Sequence, residues 1–321
     1  MLTKKIIITS TGNLTLAETQ LPDLRDDEVQ IKVAAAGVNF ADVKIRRGYY
    51  HQSPERAMEM GSEVAGVVER TGRDAHQFSI GEKVFAVSHR GGGYAERMIV
   101  PEHSVFRLPV FMQVQEAASF ASTAQTAYHI LKTVLQVQSG DRVLIHSAAG
   151  GVGTMAVQMA KVLGAKVFAA ASSPEKLARV KSLGADTLLQ YGKDDFGKVI
   201  QREGGMNYIL DGNGGLDFPK NFQWLNLRGK VVLFGNTAGA TASVDPYSLV
   251  HYSKSLIGFS MFSVTSQPEI YHAAYREIFK WMEAGKVKVE IGHRLPLAEA
   301  AEAHRLLESR ENYGKIVLTA E

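Results

Sequence analysis

Cysteine is absent from the 321 residues, and that gap removes disulfides, thiolate metal ligands and thiol nucleophiles together. No uninterrupted apolar stretch reaches the roughly 18 residues that a membrane-spanning helix needs, so no membrane partner is expected. Charge of one sign is lacking too: 36 basic against 33 acidic residues leave +3, with no block of like charges to suit a nucleic-acid backbone. Residues 1–11 read as a strand, without the apolar core and small-residue cleavage site of a secretory leader, and a cytoplasmic address is the expectation. The ten histidines include no His-x-x-x-His or His-Glu-x-x-His spacing, and no Gly-x-Ser-x-Gly elbow supports hydrolysis.

What is present reads as two domains, because the length exceeds what one hydrophobic core usually serves. Short apolar runs at 6–9, 28–34, 63–69, 83–88 and 97–100, broken by Gly and Pro, predict a β-rich, barrel-like region. From about Val114 the pattern changes. A long helix is predicted over 116–134, and after it strands at 143–145, 166–171, 208–211 and 229–235 alternate with helices at 151–163 and 174–183. That alternation means a parallel sheet with crossover helices. After Ser255 the chain is expected to return to the first domain through an amphipathic helix over 268–284 and a closing strand over 315–319.

The strongest motif, Ser147-Ala148-Ala149-Gly150-Gly151-Val152-Gly153, follows the buried Val143-Leu144-Ile145 run and opens a helix. Ala148 stands at the first glycine position of the dinucleotide fingerprint, and Gly150 and Gly153 stand at the second and third. The second lets backbone approach a pyrophosphate at the helix start, and the third lets helix and strand pack closely. At the end of the next strand, where an NAD site places Asp or Glu on the ribose 2′-hydroxyl, the residues are Ala171, Ser172 and Ser173. With no carboxylate to repel a 2′-phosphate, and with Ser172, Lys176 and Arg179 just beyond, NADPH is the expected cofactor. The alternative for Lys176, and more so for Arg179, is an ordinary solvated helix charge.

With these motifs in order, the sequence resembles the medium-chain dehydrogenase/reductase superfamily, and within it the zinc-independent, zeta-crystallin-like quinone oxidoreductases. The markers span the chain: Ala36-Gly37-Val38-Asn39-Phe40-Ala41-Asp42, Arg46-Arg47-Gly48-Tyr49-Tyr50, Gly61-Ser62-Glu63-Val64-Ala65-Gly66, Gly92-Gly93-Tyr94-Ala95-Glu96, Thr126-Ala127-Tyr128 and Tyr313-Gly314-Lys315-Ile316-Val317. The resemblance implies an α/β architecture: a discontinuous GroES-like catalytic domain over 1–122 and 258–321, a doubly wound Rossmann domain over 123–257, and an active site between them. Zinc-dependent relatives hold their metal with Cys and His where this chain has Asn39 and Ser62, so no metal is expected.

The resemblance further implies Asn39 near the nicotinamide ribose, Thr126 near the nicotinamide, Phe234-Gly235-Asn236 beside the carboxamide and Tyr191 by the adenosine ribose and 2′-phosphate. Ala149, Gly150, Gly151, Val152 and Gly153 would hold the pyrophosphate, with Ser172 and Lys176 at the 2′-phosphate. Tyr50 is the candidate hydrogen-bond donor to the acceptor oxygen, with a plain cleft-wall role as the alternative. Asp42 reads as structural. Three functions stay open: hydride transfer from NADPH to a quinone, the same transfer to an enone or enoyl thioester, and a non-catalytic NADPH sensor. A homodimer is implied, with the apolar stretch 256–262 as a candidate contact.

Overall fold

The structure, a computed structural model, describes residues 1–49, 59–265 and 267–320. It divides into two compact units, Met1–Ser122 with Val289–Glu321, and Thr123–Lys288. The first unit carries β1 (Leu2–Ile8), β2 (Leu14–Gln20), β3 (Glu28–Val38), β4 (Glu63–Thr71), β5 (Lys83–Val87), β6 (Arg97–Pro101) and β7 (Val105–Arg107). The second carries β8 (Arg142–Ile145), β9 (Lys166–Ala171), β10 (Thr187–Gln190), β11 (Met206–Asp211), β12 (Leu225–Leu233) and β13 (Ser255–Gly258). The chain then returns to the first unit with β14 (Ile291–Pro296) and β15 (Lys315–Thr319).

In the first unit one sheet runs in the order β14-β15-β3-β4-β5-β7, with β6 also paired to β3, and β1 and β2 form a separate ribbon. The long β3 is the hub. Its Val38 lies opposite Ile316 of β15, and its Gly37 lies opposite both Val317 of β15 and Glu63 of β4. Three segments remote in sequence therefore end at one place. A Cβ on Gly37 would stand 2.3 Å from Ala118 O and 2.7 Å from Glu63 Oε1, so only glycine allows this approach. Just beyond it, helix α1 (Phe40–Arg46) starts from Asn39, where Asp42 Oδ2 accepts from the Asn39 amide at 2.8 Å.

In the second unit all six strands are parallel in the order β10-β9-β8-β11-β12-β13. Counted along the unit this is 3-2-1-4-5-6, the doubly wound order that reverses between β8 and β11. Val143, Leu144 and Ile145 are buried, as a strand covered on both faces requires, and each contributes about 1.5–3 kcal/mol of apolar burial. Helix α2 (Val114–Tyr128) does not continue as one regular helix to 134: it passes into a π-helical stretch, His129–Val134. Helices α3 (Gly151–Val162) and α4 (Pro174–Ser182) follow β8 and β9.

The boundary between the units falls at Lys288, not at 257, so residues 258–288 lie in the second unit. Helix Pro268–Glu283 shows why sequence patterning placed them elsewhere. Its Tyr271, Ala274, Tyr275 and Ile278 are buried, as an amphipathic face should be. Periodicity reveals that a face is covered but not by what. Here Gln125 Nε2 donates to Tyr271 O at 3.0 Å, and Glu277 takes hydrogen bonds from Tyr128 and Lys132.

Candidate active site

The glycine loop begins where β8 ends. His146 still donates its amide to Leu210 O on β11, then Ser147 turns the chain with φ at +48°. Ala148 N donates to Ala170 O on β9, and Gly150 N closes the turn on Ser147 O at 2.9 Å. Gly150 is the N-cap of α3, extended at φ −83° and ψ 178°, with no side chain to satisfy the first turn. The opening amides of Gly151, Val152 and Gly153 have no acceptor within the helix, so the positive end of α3 is open to an anion. A Cβ on Gly153 would lie 2.4 Å from Ser147 O and 2.6 Å from Ala148, which forces glycine there. Backbone donors, an uncapped helix start and a glycine packed against its own loop fit a dinucleotide pyrophosphate.

Ser172 is exposed at the end of β9. Ser173 caps α4, accepting from Lys176 N at 3.3 Å, with Pro174 at the first helical position. Lys176 is half-buried and Arg179 exposed on that helix. The nearest acid, Glu175, bonds to the Ser173 hydroxyl, which holds its carboxyl below the usual range. At the ends of β11 and β12, Phe234 N donates to Asp211 O, and a Cβ on Gly235 would meet Gly212 O at 2.6 Å. Asn236 Oδ1 accepts from Gly239 N. Thr126 is buried in α2.

Behind the glycine loop lies a polar network that the sequence reading missed. Asp211, at the end of β11, accepts from the amides of Asn213 (2.7 Å) and Gly214 (3.0 Å) and from Asn221 Nδ2 (2.8 Å). Asn221 Oδ1 faces His146 Nε2 at 2.9 Å, and His146 Nδ1 faces the Tyr191 hydroxyl at 2.8 Å. That hydroxyl accepts from Ser147 N at 3.0 Å and from Asn213 Nδ2 at 3.3 Å. Asn213 Oδ1 in turn accepts from Ser147 Oγ and Thr237 Oγ1. Tyr191 stacks against both His146 and Phe196, with ring centroids at 5.9 and 5.6 Å, and those two rings also stack on each other at 6.4 Å. Burial holds its phenol well above the ordinary value of 10. A signal existed in the sequence: His146 directly follows three buried strand residues at the sheet's reversal point, where a polar side chain needs partners.

In the first unit Asn39 is gripped from both ends. Lys315 Nζ donates to Asn39 Oδ1 at 2.6 Å, to Glu63 Oε1 at 2.9 Å and to Val38 O at 2.9 Å. Asn39 Nδ2 donates to the same Glu63 oxygen at 2.9 Å, and Ser122 N donates to the other. Asp42 is fully buried and accepts from Asn39 N, Gly61 N and the Tyr94 hydroxyl, which bears out its structural reading. Burial raises its carboxyl to about 6 against those hydrogen bonds. Arg47 pairs with Glu308. Tyr50 lies outside the described residues.

The positions at which zinc-dependent relatives bind metal hold Asn39 and Ser62, an amide and a hydroxyl 3.5 Å apart, and the amide oxygen already rests on the Lys315 ammonium. A neutral pair beside a fixed cation does not fit zinc.

The family models that match are described as an alcohol dehydrogenase GroES-like domain over residues 25–110 and a zinc-binding dehydrogenase over residues 151–283. The human quinone oxidoreductase is 32% identical over 306 residues, covering 94% of this chain and 92% of its own. A mycobacterial protein solved in complex with NADPH superposes with a TM-score of 0.92 at 34% identity, covering 99% of each chain. The Escherichia coli quinone oxidoreductase complexed with NADPH gives a TM-score of 0.91 at 26% identity, again over 99% of each chain.

Proposed function

The chain belongs to the zinc-independent quinone oxidoreductases of the medium-chain dehydrogenase/reductase superfamily, and on that footing we propose that it is an NADPH-dependent reductase of quinones. The observation that carries this reading is the uncapped start of α3 after the first strand of a 3-2-1-4-5-6 sheet, with Gly153 packed on Ser147.

Reduced nicotinamide, when bound, supplies the hydride; the protein supplies binding and orientation. The amides of Gly151, Val152 and Gly153 hold the pyrophosphate, with Ala149 and Gly150 shaping the loop. Ser172 and Lys176 take the 2′-phosphate, with Tyr191 by the adenosine ribose. Phe234, Gly235 and Asn236 present a backbone edge to the carboxamide, and Thr126 stands by the nicotinamide. Asn39 keeps one lone pair on Oδ1 beyond its bond from Lys315, enough to accept from a ribose hydroxyl. Tyr50 is the candidate donor to the acceptor oxygen. A quinone needs little acid help, since its reduced oxygens take protons from water.

The same reading carries a cytoplasmic homodimer. The end strand β13 and its surroundings expose Tyr247, Val250, Tyr252 and Leu256, an apolar edge suited to a second copy. No helix among the described residues is long and apolar enough to cross a membrane.

The test follows NADPH absorbance with purified protein against a benzoquinone, a polycyclic quinone, a simple enone and an enoyl thioester, with NADH in parallel. Quinone-dependent, NADPH-preferring oxidation without added metal is the expected result. Turnover with the enone or thioester alone would move the assignment to that substrate class, and tight NADPH binding without turnover would make the protein a sensor.

A further inference from the structure

We propose that Lys44 is a specificity-determining residue whose ammonium selects quinones that carry an anionic group, a carboxylate or a sulfonate, on the ring. The proposal rests on the reading of the protein as a quinone reductase with Asn39 and Tyr50 at its reaction site.

Helix α1 leads from one of those residues towards the other. It starts at Asn39 and buries one face, Asp42, Val43 and Ile45, while Arg46 reaches both carboxylate oxygens of Glu308 at 2.8 Å. With about 3.6 residues per turn, Phe40 and Lys44 share the opposite face, and both are half-buried all the same. The helix ends in a Schellman cap: Gly48, at φ +79°, donates to Ile45 O at 2.9 Å, and Tyr49 N donates to Lys44 O at 3.0 Å. The chain therefore reverses against the Lys44 turn. The next residue in sequence is Tyr50, the candidate donor to the acceptor oxygen.

The other cations around this turn are matched by acids of the fold. Arg46 and Arg47 share Glu308, and Lys315 pairs with Glu63. Lys44 differs from all three: among the described residues its ammonium has no carboxylate or hydrogen-bond acceptor, and burial alone holds it below the ordinary lysine range. A half-buried charge that the fold leaves uncompensated is stabilised by an anion from outside. A plain quinone offers only weak carbonyl acceptors to such a group. A carboxylate or sulfonate on the ring supplies the missing charge.

The test uses the full-length protein at saturating NADPH with two acceptors, a naphthoquinone and the same ring bearing a sulfonate. Their intrinsic reactivities differ, but that difference is common to every variant, so the ratio of their kcat/KM values, compared between variants, isolates the charge contact. Lys44→Met is expected to lower the ratio of sulfonated to plain quinone roughly tenfold, chiefly through KM of the sulfonated one, and Lys44→Arg to keep most of it. Added salt should shrink the wild-type ratio more than that of Lys44→Met. A ratio that Lys44→Met leaves unchanged would overturn the proposal: equal losses with both quinones mark a support for α1, and no loss with either marks an ordinary solvated charge. Should Lys44→Met fail to fold, Lys44→Gln removes the charge and keeps a polar end, and the same fall in the ratio is expected. Wild-type protein that oxidises NADPH with neither quinone would remove the quinone reading and this proposal together, whereas turnover of both with an unmoved ratio removes this proposal alone.

Discussion

Asp42 and His304 face Tyr94 from two sides, and their ionisation should leave a readable signature on stability. Tyr94 donates to Asp42 Oδ2 at 3.1 Å and lies 3.5 Å from His304 Nε2, and all three side chains are buried. Burial raises Asp42 from 3.8 to about 6, and burial, with help from Arg46, lowers His304 from 6.5 to about 4. Between about pH 4 and 6 the folded chain thus holds Asp42 protonated and His304 neutral, while the unfolded chain holds the reverse. In the folded state the Asp42 proton can be given to Tyr94, whose hydroxyl then turns to His304. Each state carries one proton on the pair, so the pair adds no slope to stability against pH.

Single substitutions should unmask two opposite slopes. Asp42, with a raised folded pKa, contributes stability that is full below 3.8 and lost as pH rises through about 6. His304, with a depressed one, destabilises below about 4, and that penalty disappears as pH rises through 6.5. Each shift corresponds to about 3 kcal/mol as an order of magnitude. Relative to wild type, Asp42→Asn should gain stability from pH 4 to 6, and His304→Gln should lose it over the same interval. Both tryptophans, Trp224 and Trp281, lie in the second unit, so their fluorescence reports on the wrong one. Hydrogen exchange in β3 and β4 under increasing urea is the suitable assay. If both variants run parallel to wild type from pH 4 to 6.5, the burial argument for this cluster is wrong.

Three other outcomes follow from single contacts. Lys315→Met leaves the fully buried Glu63 without its cation and should cost about 3–5 kcal/mol, part of which Glu63→Gln in the same chain restores; urea unfolding of the first unit reads both. Ser172→Asp places a carboxylate at the end of β9 and should move the ratio of NADPH to NADH affinity by roughly tenfold or more towards NADH, measured by calorimetry. Gly153→Ala drives a Cβ into Ser147 O and Ala148, backbone atoms that cannot step aside, and should cost about 1–3 kcal/mol together with most of the nucleotide affinity; wild-type affinity in that variant would show that the loop tolerates movement.

The parallel sheet was legible because 143–145 and 167–171 are unbroken apolar runs, as strands covered on both faces require, and the loop after β8 carries its glycines at spacings set by helix packing. Thr187–Gln190 and Ser255–Gly258 were not read as strands, because four residues at the sheet's two ends are too short to show a period. The helix over 268–283 was found but assigned to the other domain, since a buried face carries no label for its partner.

The candidate site divides along the same physical line. Backbone chemistry is readable in a sequence because glycine, and the lack of an acid at 171–173, mark where a chain must approach a ligand or spare it a charge. Side-chain braces are not, because each half is an ordinary polar residue until folding joins them. Lys315 meets Asn39 across 276 residues and His146 meets Asn221 across 75. Asn39 illustrates the consequence. The resemblance supplied its place near a ribose, but only the geometry shows that its amide is already bonded to Lys315 and Glu63, so that whatever it offers a nucleotide is limited to one lone pair. Loss of the Asn39 side chain should therefore disturb the Glu63–Lys315 pair at least as much as it disturbs nucleotide binding. Asn39→Ala that weakened NADPH while leaving first-unit stability intact would reverse that order and make Asn39 a ligand before it is a brace.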